Sequence, residues 1–381
     1  MKIYRNQNVF DAAIERINFI FDEFENVVIG ISGGKDSTVI FNLAKKIAKE
    51  RNRLPLNVLF IDQEAELESV ISHVKTIMYD KDVNPLWFQM PIKIFNATSI
   101  YDHWLMCWEP GKEWMREREE ISIKENIFGT DRFAKLFGAI FEKKFPDKKS
   151  CYISGVRTEE SPTRFIGLTS HATYKYITWG KILNKKKEHY TFYPIYDWSI
   201  SDVWKSIFDN KWDYCKYYDS LYSYGVPPIK MRVSNVHHET AIHSLFNIQE
   251  IEPETYQKLT KRIQGIDMAG KFGIDDYFIR NLPFMFTTWK EYRDYLLEKL
   301  ITNEDWKKNF MSIFKRQEDI YYAELGDSVI KTHVSSILTN DWEHVKLLNF
   351  ERRPAAYVVR KNLPSMIYRK NGNNKANKQV I

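Results

Sequence analysis

Apolar positions change period repeatedly along the first part of the chain. Phe10, Ile14, Ile17, Phe21 and Phe24 recur at steps of three and four, which predicts an amphipathic helix over residues 8–25. VVIGIS (27–32) is a β-branched run, the pattern of a buried strand. After a double glycine, TVIFNLAKKIAKE (38–50) returns to helical spacing, with basic residues near its end where they complement a helix C-terminus. LNVLFI (56–61) predicts a second buried strand ending at Asp62, ELESVISHVKTIMYD (66–80) a helix, and LWFQMPI (86–92) and CYISGV (151–156) further strands. Strands alternating with helices predict an α/β fold, a doubly wound and mainly parallel sheet covered on both faces.

The pattern changes in two places. A Trp-rich insert near 100–145 carries Trp104, Trp108 and Trp114 and predicts a charged helix around 113–126. It reads either as a lid over a site or as a local aromatic cluster. From 236 onward, ETYQKLTKRIQ, TWKEYRDYLLEKL and DWKKNFMSIFKRQEDIYYAEL all have helical spacing. The expected organisation is an α/β domain over 1–235 containing the insert, a helical region over 236–365, and a basic, flexible tail over 366–381.

Charge and cysteine content narrow the function classes. The 381 residues include 56 basic and 50 acidic side chains, a formal charge of +6. This mild excess suits phosphate or nucleic-acid partners and equally an ordinary soluble surface. Cys107, Cys151 and Cys215 are far apart and form no CxxC pair, which argues against a disulfide framework and a four-thiolate metal site and fits a reducing cytoplasm. Asp11, Glu15, Asp22 and Glu23 interrupt the N-terminal apolar stretch, so a signal peptide is not expected there. No uninterrupted apolar run approaches the roughly 20 residues that span a bilayer. The expected location is cytoplasmic, with no membrane partner.

The chemistry concentrates at Ser32-Gly33-Gly34-Lys35-Asp36-Ser37, between the first strand and the second helix. Gly33 and Gly34 permit backbone angles a side chain would forbid and let amides approach an anion closely. The helix start aims its unpaired N–H groups and dipole at the same point. Ser32 and Ser37 add hydroxyls, and Lys35 adds a positive charge. Asp36 reads either as a helix cap or as a group near a metal. The spacing is not that of the GxxxxGK[ST] loop.

SGGKDS resembles the hallmark of the PP-loop ATP pyrophosphatases and the related phosphoadenylyl-sulfate (PAPS) reductases. That resemblance implies an adenine-nucleotide α-hydrolase-like fold binding ATP or a related adenine nucleotide, with Mg2+, and commonly cleavage between the α and β phosphates. Three further segments are similar to the reductase branch. SGVRTEESPTR (154–164) resembles G-x-R-x-x-E-S-x-x-R, here Gly155, Arg157, Glu160, Ser161 and Arg164, and two arginines suit bidentate phosphate recognition. YPIYDWSISDVW (193–204) resembles P-x-x-D-W-x-x-x-D-V-W, with Asp197 and Asp202 as caps and Trp198 and Trp204 as core. FIDQEAE (60–66) falls where the family has an acidic loop beside the nucleotide, and there Asp62 and Glu64 are candidates to touch ribose or Mg2+.

On this resemblance the catalytic candidates are Lys35, Asp36 and Arg157. The nucleotide-binding candidates are Ser32, Gly33, Gly34, Lys35, Asp36, Ser37, Asp62, Gly155, Arg157 and Arg164, with Asp36 and Asp62 as Mg2+ candidates. The chain departs from the reductases in having no cysteine after Cys215, so the usual thiolate chemistry lacks its nucleophile and no iron–sulfur cluster is expected. Residues 251–270 resemble an IbrA-like branch, often paired with a ParB/sulfiredoxin-like partner. Three readings follow: adenylylation of an acceptor with release of pyrophosphate, sulfonucleotide chemistry, and a nucleotide-sensing or DNA-associated component. His237, His238, Glu239 and His243 have a spacing one residue longer than H-E-x-x-H, and Arg232 is a further phosphate candidate.

Overall fold

A computed structural model describes residues 6–96, 104–146, 148–169, 173–233, 236, 242–263, 265–266, 281–338, 341 and 344–352. Two compact units are present. The first runs to Phe95 and resumes from Trp104 to Ile263; the second contains the helices between Trp289 and Arg352. The tail 366–381 and the side chains of His237, His238, Glu239 and His243 lie outside the described residues.

The first unit is the expected α/β fold. α1 (Val9–Glu23) leads into β1 (Asn26–Gly30), α2 (Lys35–Glu50), β2 (Leu56–Ile61), α3 (Glu68–Met78) and β3 (Val83–Phe88). β4 (Ile92–Phe95) and β5 (Trp104–Cys107) pair antiparallel apart from the main sheet. Then come α4 (Phe133–Lys144), β6 (Ser150–Ile153), α5 (Pro162–Thr169), β7 (Gly180–Asn184) and β8 (His189–Phe192). α6 (Ile200–Asp209), α7 (Tyr217–Ser223), α8 (Ile242–Ile251) and α9 (Pro253–Arg262) complete the unit.

The sheet order is β3-β2-β1-β6-β8-β7, parallel throughout except for the β8–β7 pair. The chain therefore winds outward from β1 through β2 and β3, then returns to the other side of β1 with β6. That reversal opens a crevice at the C-terminal ends of β1 and β6, where open α/β sheets bind ligands. α2 anchors the crevice. It buries Val39, Ile40, Leu43, Ala44 and Ile47, all fully inaccessible, and each large apolar side chain so buried stabilises by about 1.5–3 kcal/mol.

The insert departs from expectation, since residues 113–126 form no helix. Their backbone is committed elsewhere. Ile123 N–H donates to Trp87 O at 2.7 Å and Ile123 O accepts from Gln89 N at 3.0 Å, so this segment covers the edge of β3. Met115 N–H and the Arg116 guanidinium are drawn to the carboxylates after β2. Trp108 packs edge-on against Trp114 at 5.8 Å, with Arg116 over the Trp108 ring.

In the second unit, helices Trp289–Lys299, Glu304–Leu325, Asp327–Leu338 and Val345–Arg352 surround Phe310, Phe314, Leu347 and Phe350. His333 stacks on Phe314 at 4.1 Å and bonds Gln317 Oε1 at 3.0 Å; burial pushes its pKa down to about 3, so it serves as a neutral core group. Among the described residues no helix is long and apolar enough to cross a membrane.

Candidate functional site

The loop after β1 turns at Gly33, whose φ of +70° is a left-handed conformation that side chains disfavour. Gly34 is the N-cap of α2 and brings no side-chain cap. Some other helix starts in this unit are closed by side chains. Ser199 caps α6, and the Glu252 carboxylate accepts from Glu68 N and Ser69 N of α3 at 2.9 and 3.1 Å. At α2 the amides of Gly33, Gly34, Asp36 and Ser37 have no partner among the described residues, and Lys35 N–H makes only a long 3.3 Å contact to Tyr218 Oη. Four open amides at the positive end of a 16-residue helix are the kind of donors an anion would take up.

The loop side chains are arranged differently from expectation. Ser37 Oγ donates to Gly34 O at 2.8 Å and accepts from Ser32 N at 3.1 Å, so its hydroxyl braces the loop. Ser32 is exposed as a residue, and its Oγ lies 3.3 Å from Ser37 Oγ. Lys35 is buried, with Nζ 3.2 Å from Asp36 Oδ2 and 5.3 Å from the centroid of the Tyr218 ring. Asp36 Oδ1 accepts from Arg157 Nε at 2.5 Å. Arg157, 4% exposed, also donates to Glu159 Oε2 at 3.1 Å and Trp198 O at 3.3 Å. Its guanidinium is thus engaged by protein oxygens and holds Asp36 in place. Gly155 brings β6 against the same turn: a Cβ there would lie 2.7 Å from the Asp36 carbonyl and 2.9 Å from Ser37 N.

Of three further candidates, two are exposed and one is enclosed by protein donors. Arg164 is exposed and pairs with Glu160 one helical turn away. Arg232 is exposed, although its neighbour Val233 reaches the Gly34 backbone. Asp62 is fully buried, and its expected contact with ribose or Mg2+ does not fit its surroundings. Oδ2 accepts from Trp87 Nε1 at 3.0 Å and Gln89 Nε2 at 2.9 Å, while Oδ1 accepts from Glu64 N at 2.9 Å and from Arg116. Glu64, also fully buried, accepts from Trp108 N and from Arg262 Nε at 2.5 and 2.6 Å. These carboxylates join the insert and α9 to the end of β2.

The donor set likewise does not fit a protein-held Mg2+. Both Asp36 oxygens face cations and all four donors around Asp62 are protein groups, leaving neither carboxylate open to a metal. No cluster of three or more His, Cys, Asp or Glu side chains suited to a metal occurs among the described residues.

Beside Ser32 a cavity of about 380 Å³ extends along the ends of β1 and β2 to α4, within the size range of small-molecule sites. Ile31, Leu59, Phe133 and Phe137 supply apolar walls, and Glu66 is its one carboxylate. A larger cavity of about 920 Å³ is lined by His73, Asp213, Lys216 and α9 residues, contains nothing from the 32–37 loop, and carries charges of both signs. Sequence reasoning missed Tyr218, 183 positions from Lys35 with no local signal, and Phe133 and Phe137 of α4. Glu66 lay in the acidic segment already singled out, at the same two-residue spacing as Asp62 and Glu64.

All three cysteines are buried. Burial raises the Cys107 and Cys151 thiols well above their ordinary value and pushes Cys215 up to about 12. None supplies an accessible thiolate.

Comparison with known proteins agrees with this geometry. The chain is 27% identical to the uncharacterized protein YbdN of Escherichia coli K12 over 312 residues, covering 77% of this chain and 75% of that protein. An uncharacterized protein of Methanocaldococcus jannaschii is 25% identical over 72% of this chain and 55% of its own length, so the chain spans about half of that relative. Among solved structures, Candida glabrata FMN adenylyltransferase in complex with FMN and an ATP analogue matches at 13% identity and a TM-score of 0.36, over 57% of this chain and 64% of that one, just under two thirds of its length. A Candida auris PAPS reductase matches at 13% identity and a TM-score of 0.30, over 57% and 93%. These structural likenesses are distant and carry no argument about chemistry. Residues 225–371 match a domain of unknown function, DUF3440. Residues 26–224, more than half of the chain and the part that builds the sheet and its open loop, match the phosphoadenosine phosphosulfate reductase domain, and the protein belongs to that family.

Proposed function

We propose that this protein binds ATP or a related adenine nucleotide, phosphates on the 32–37 loop and nucleoside toward the adjoining cavity, and transfers the adenylyl group to an acceptor. An acceptor atom would attack the α phosphorus, the α–β bridging bond would break, and pyrophosphate would leave. The observation that carries the reading is the set of open amides at Gly33, Gly34, Asp36 and Ser37, at the crevice between β1 and β6. Those amides favour charge building on the departing pyrophosphate and hold it in line. Lys35, released from Asp36 by a competing phosphate, would add its charge. Any Mg2+ would arrive on the nucleotide's own phosphates, as part of the substrate.

A second reading is binding without turnover, as in a nucleotide sensor working with a ParB/sulfiredoxin-like partner. The closed Lys35–Asp36–Arg157 chain of charges favours it, because the one loop ammonium is already neutralised. Sulfonucleotide reduction by an intrinsic thiol is disfavoured by the three buried cysteines.

The test is incubation of the full chain with ATP, PAPS and related nucleotides plus Mg2+, identifying what binds and what is released. Adenylyl transfer yields pyrophosphate with AMP or an adenylylated acceptor, and Lys35→Ala lowers turnover by roughly 100-fold or more. Unchanged turnover in Lys35→Ala refutes the transfer reading; nucleotide bound but unaltered selects the sensor.

A further inference from the structure

The cavity beside Ser32 is lined by a carboxyl group of which one oxygen lacks a protein partner among the described residues. Glu66 is 4% exposed and lines this cavity with Ile31, Leu59, Phe133 and Phe137. Its Oε2 is buried and has no hydrogen-bond partner among the described residues. The two carboxylates before it in the same segment are treated differently: Asp62 receives donors on both oxygens, and Glu64 is held by Arg262 and the Trp108 amide. Native folds retain few partnerless buried polar atoms, and one on a cavity wall is a group that a ligand can satisfy.

Its chemistry narrows the ligand. Burial, reinforced by the negative charge of Asp62 and opposed by Arg116, pushes the Glu66 carboxyl up to about 8. Near pH 7 it is mainly the neutral acid, presenting an O–H donor beside a carbonyl acceptor. A sulfate or a fully ionised phosphate group, all acceptor, cannot answer both. Adenine can, because its exocyclic amino group donates next to a ring nitrogen that accepts, and its flat faces suit walls of Phe and aliphatic side chains. Ser32, shared by the cavity and the phosphate loop, sets the order of the ligand's parts along the site.

We propose that Glu66 reads the base of the bound nucleotide, its carboxyl group pairing with the exocyclic amino group and neighbouring ring nitrogen of adenine. The proposal rests on the nucleotide-binding reading above and assigns base selectivity to one side chain.

The test titrates the full chain by calorimetry with ATP and with purine riboside 5′-triphosphate, which lacks the amino group, each with Mg2+. Wild type, Glu66→Gln and Glu66→Ala are compared. Wild type should prefer ATP by roughly 10-fold or more, the usual consequence of leaving a buried partner unmet. Gln, which also offers a donor beside an acceptor, should retain the preference. Ala should erase it, with both triphosphates binding equally through the loop. Equal affinity of the two nucleotides for wild type, or a preference that survives in Glu66→Ala, overturns the role of Glu66 while nucleotide binding stands. Failure of wild type to bind either triphosphate overturns both readings together. Should Glu66→Ala fail to fold, Glu66→Met, of similar length but without the donor and acceptor, takes its place with the same expected loss of preference.

Discussion

Replacing Asp62 by Asn separates a structural carboxylate from a ligand-binding one. Each oxygen of Asp62 receives two donors: Trp87 Nε1 and Gln89 Nε2 on Oδ2, Glu64 N and Arg116 on Oδ1. An amide of the same shape has one oxygen and one NH2 group, so in either orientation its NH2 confronts two donors. Each buried donor left unpaired costs about 1–3 kcal/mol, and removing one partner of a buried ion pair typically costs about 3–5 kcal/mol. These overlap, because Arg116 is counted in both. The expected loss is therefore on the order of 4 kcal/mol, a large share of the roughly 5–15 kcal/mol that stabilises a domain. At roughly 2–4 °C per kcal/mol for a unit of this size, the melting temperature should fall by about 10 °C. Urea and thermal unfolding measure the loss, and calorimetry at a temperature where the variant remains folded measures ATP affinity, which should be close to wild type. A variant with an unaltered urea midpoint and no nucleotide binding would refute this reasoning and return Asp62 to the ligand site.

Two further outcomes follow from close contacts and from burial. In Gly155→Ala the added methyl meets the Asp36 carbonyl at 2.7 Å, and since that neighbour is backbone the loop must shift; a loss of about 1–3 kcal/mol in unfolding free energy, together with weaker nucleotide binding, is expected. The Glu66 pKa, raised to about 8 chiefly by burial, makes its contribution fully present below the ordinary carboxyl range and lost as pH rises through about 8. Wild type should thus lose on the order of 4 kcal/mol relative to Glu66→Gln between about pH 5 and pH 8, and then level off. Unfolding curves across that range check it, and parallel curves for the two proteins would show that Glu66 ionises normally in the fold.

The early helices and strands, and the double-glycine turn between the first strand and second helix, were legible in consecutive residues because such features are local. Helical and strand periods are written in consecutive side chains, and a glycine at the N-cap brings no side chain of its own to close the first amides of the helix. The same locality explains why α1, β1, α2, β2 and α3 lie within a few residues of their expected positions. What needed tertiary structure was the partner of each charge. Asp62, Glu64 and Glu66 are equivalent in the sequence, yet two are saturated by Arg116, Trp87, Gln89 and Arg262, and the third faces a cavity. Arg157 and Arg164 looked alike as phosphate binders, but one is locked onto Asp36 and the other is exposed. The charged stretch 113–126 has helical composition, but its backbone pairs along β3 because an edge strand and buried carboxylates offer more than an isolated helix would. A charge in a sequence carries no record of its distant neighbours, and in a low-dielectric interior those neighbours decide whether it braces the fold or remains open to a ligand.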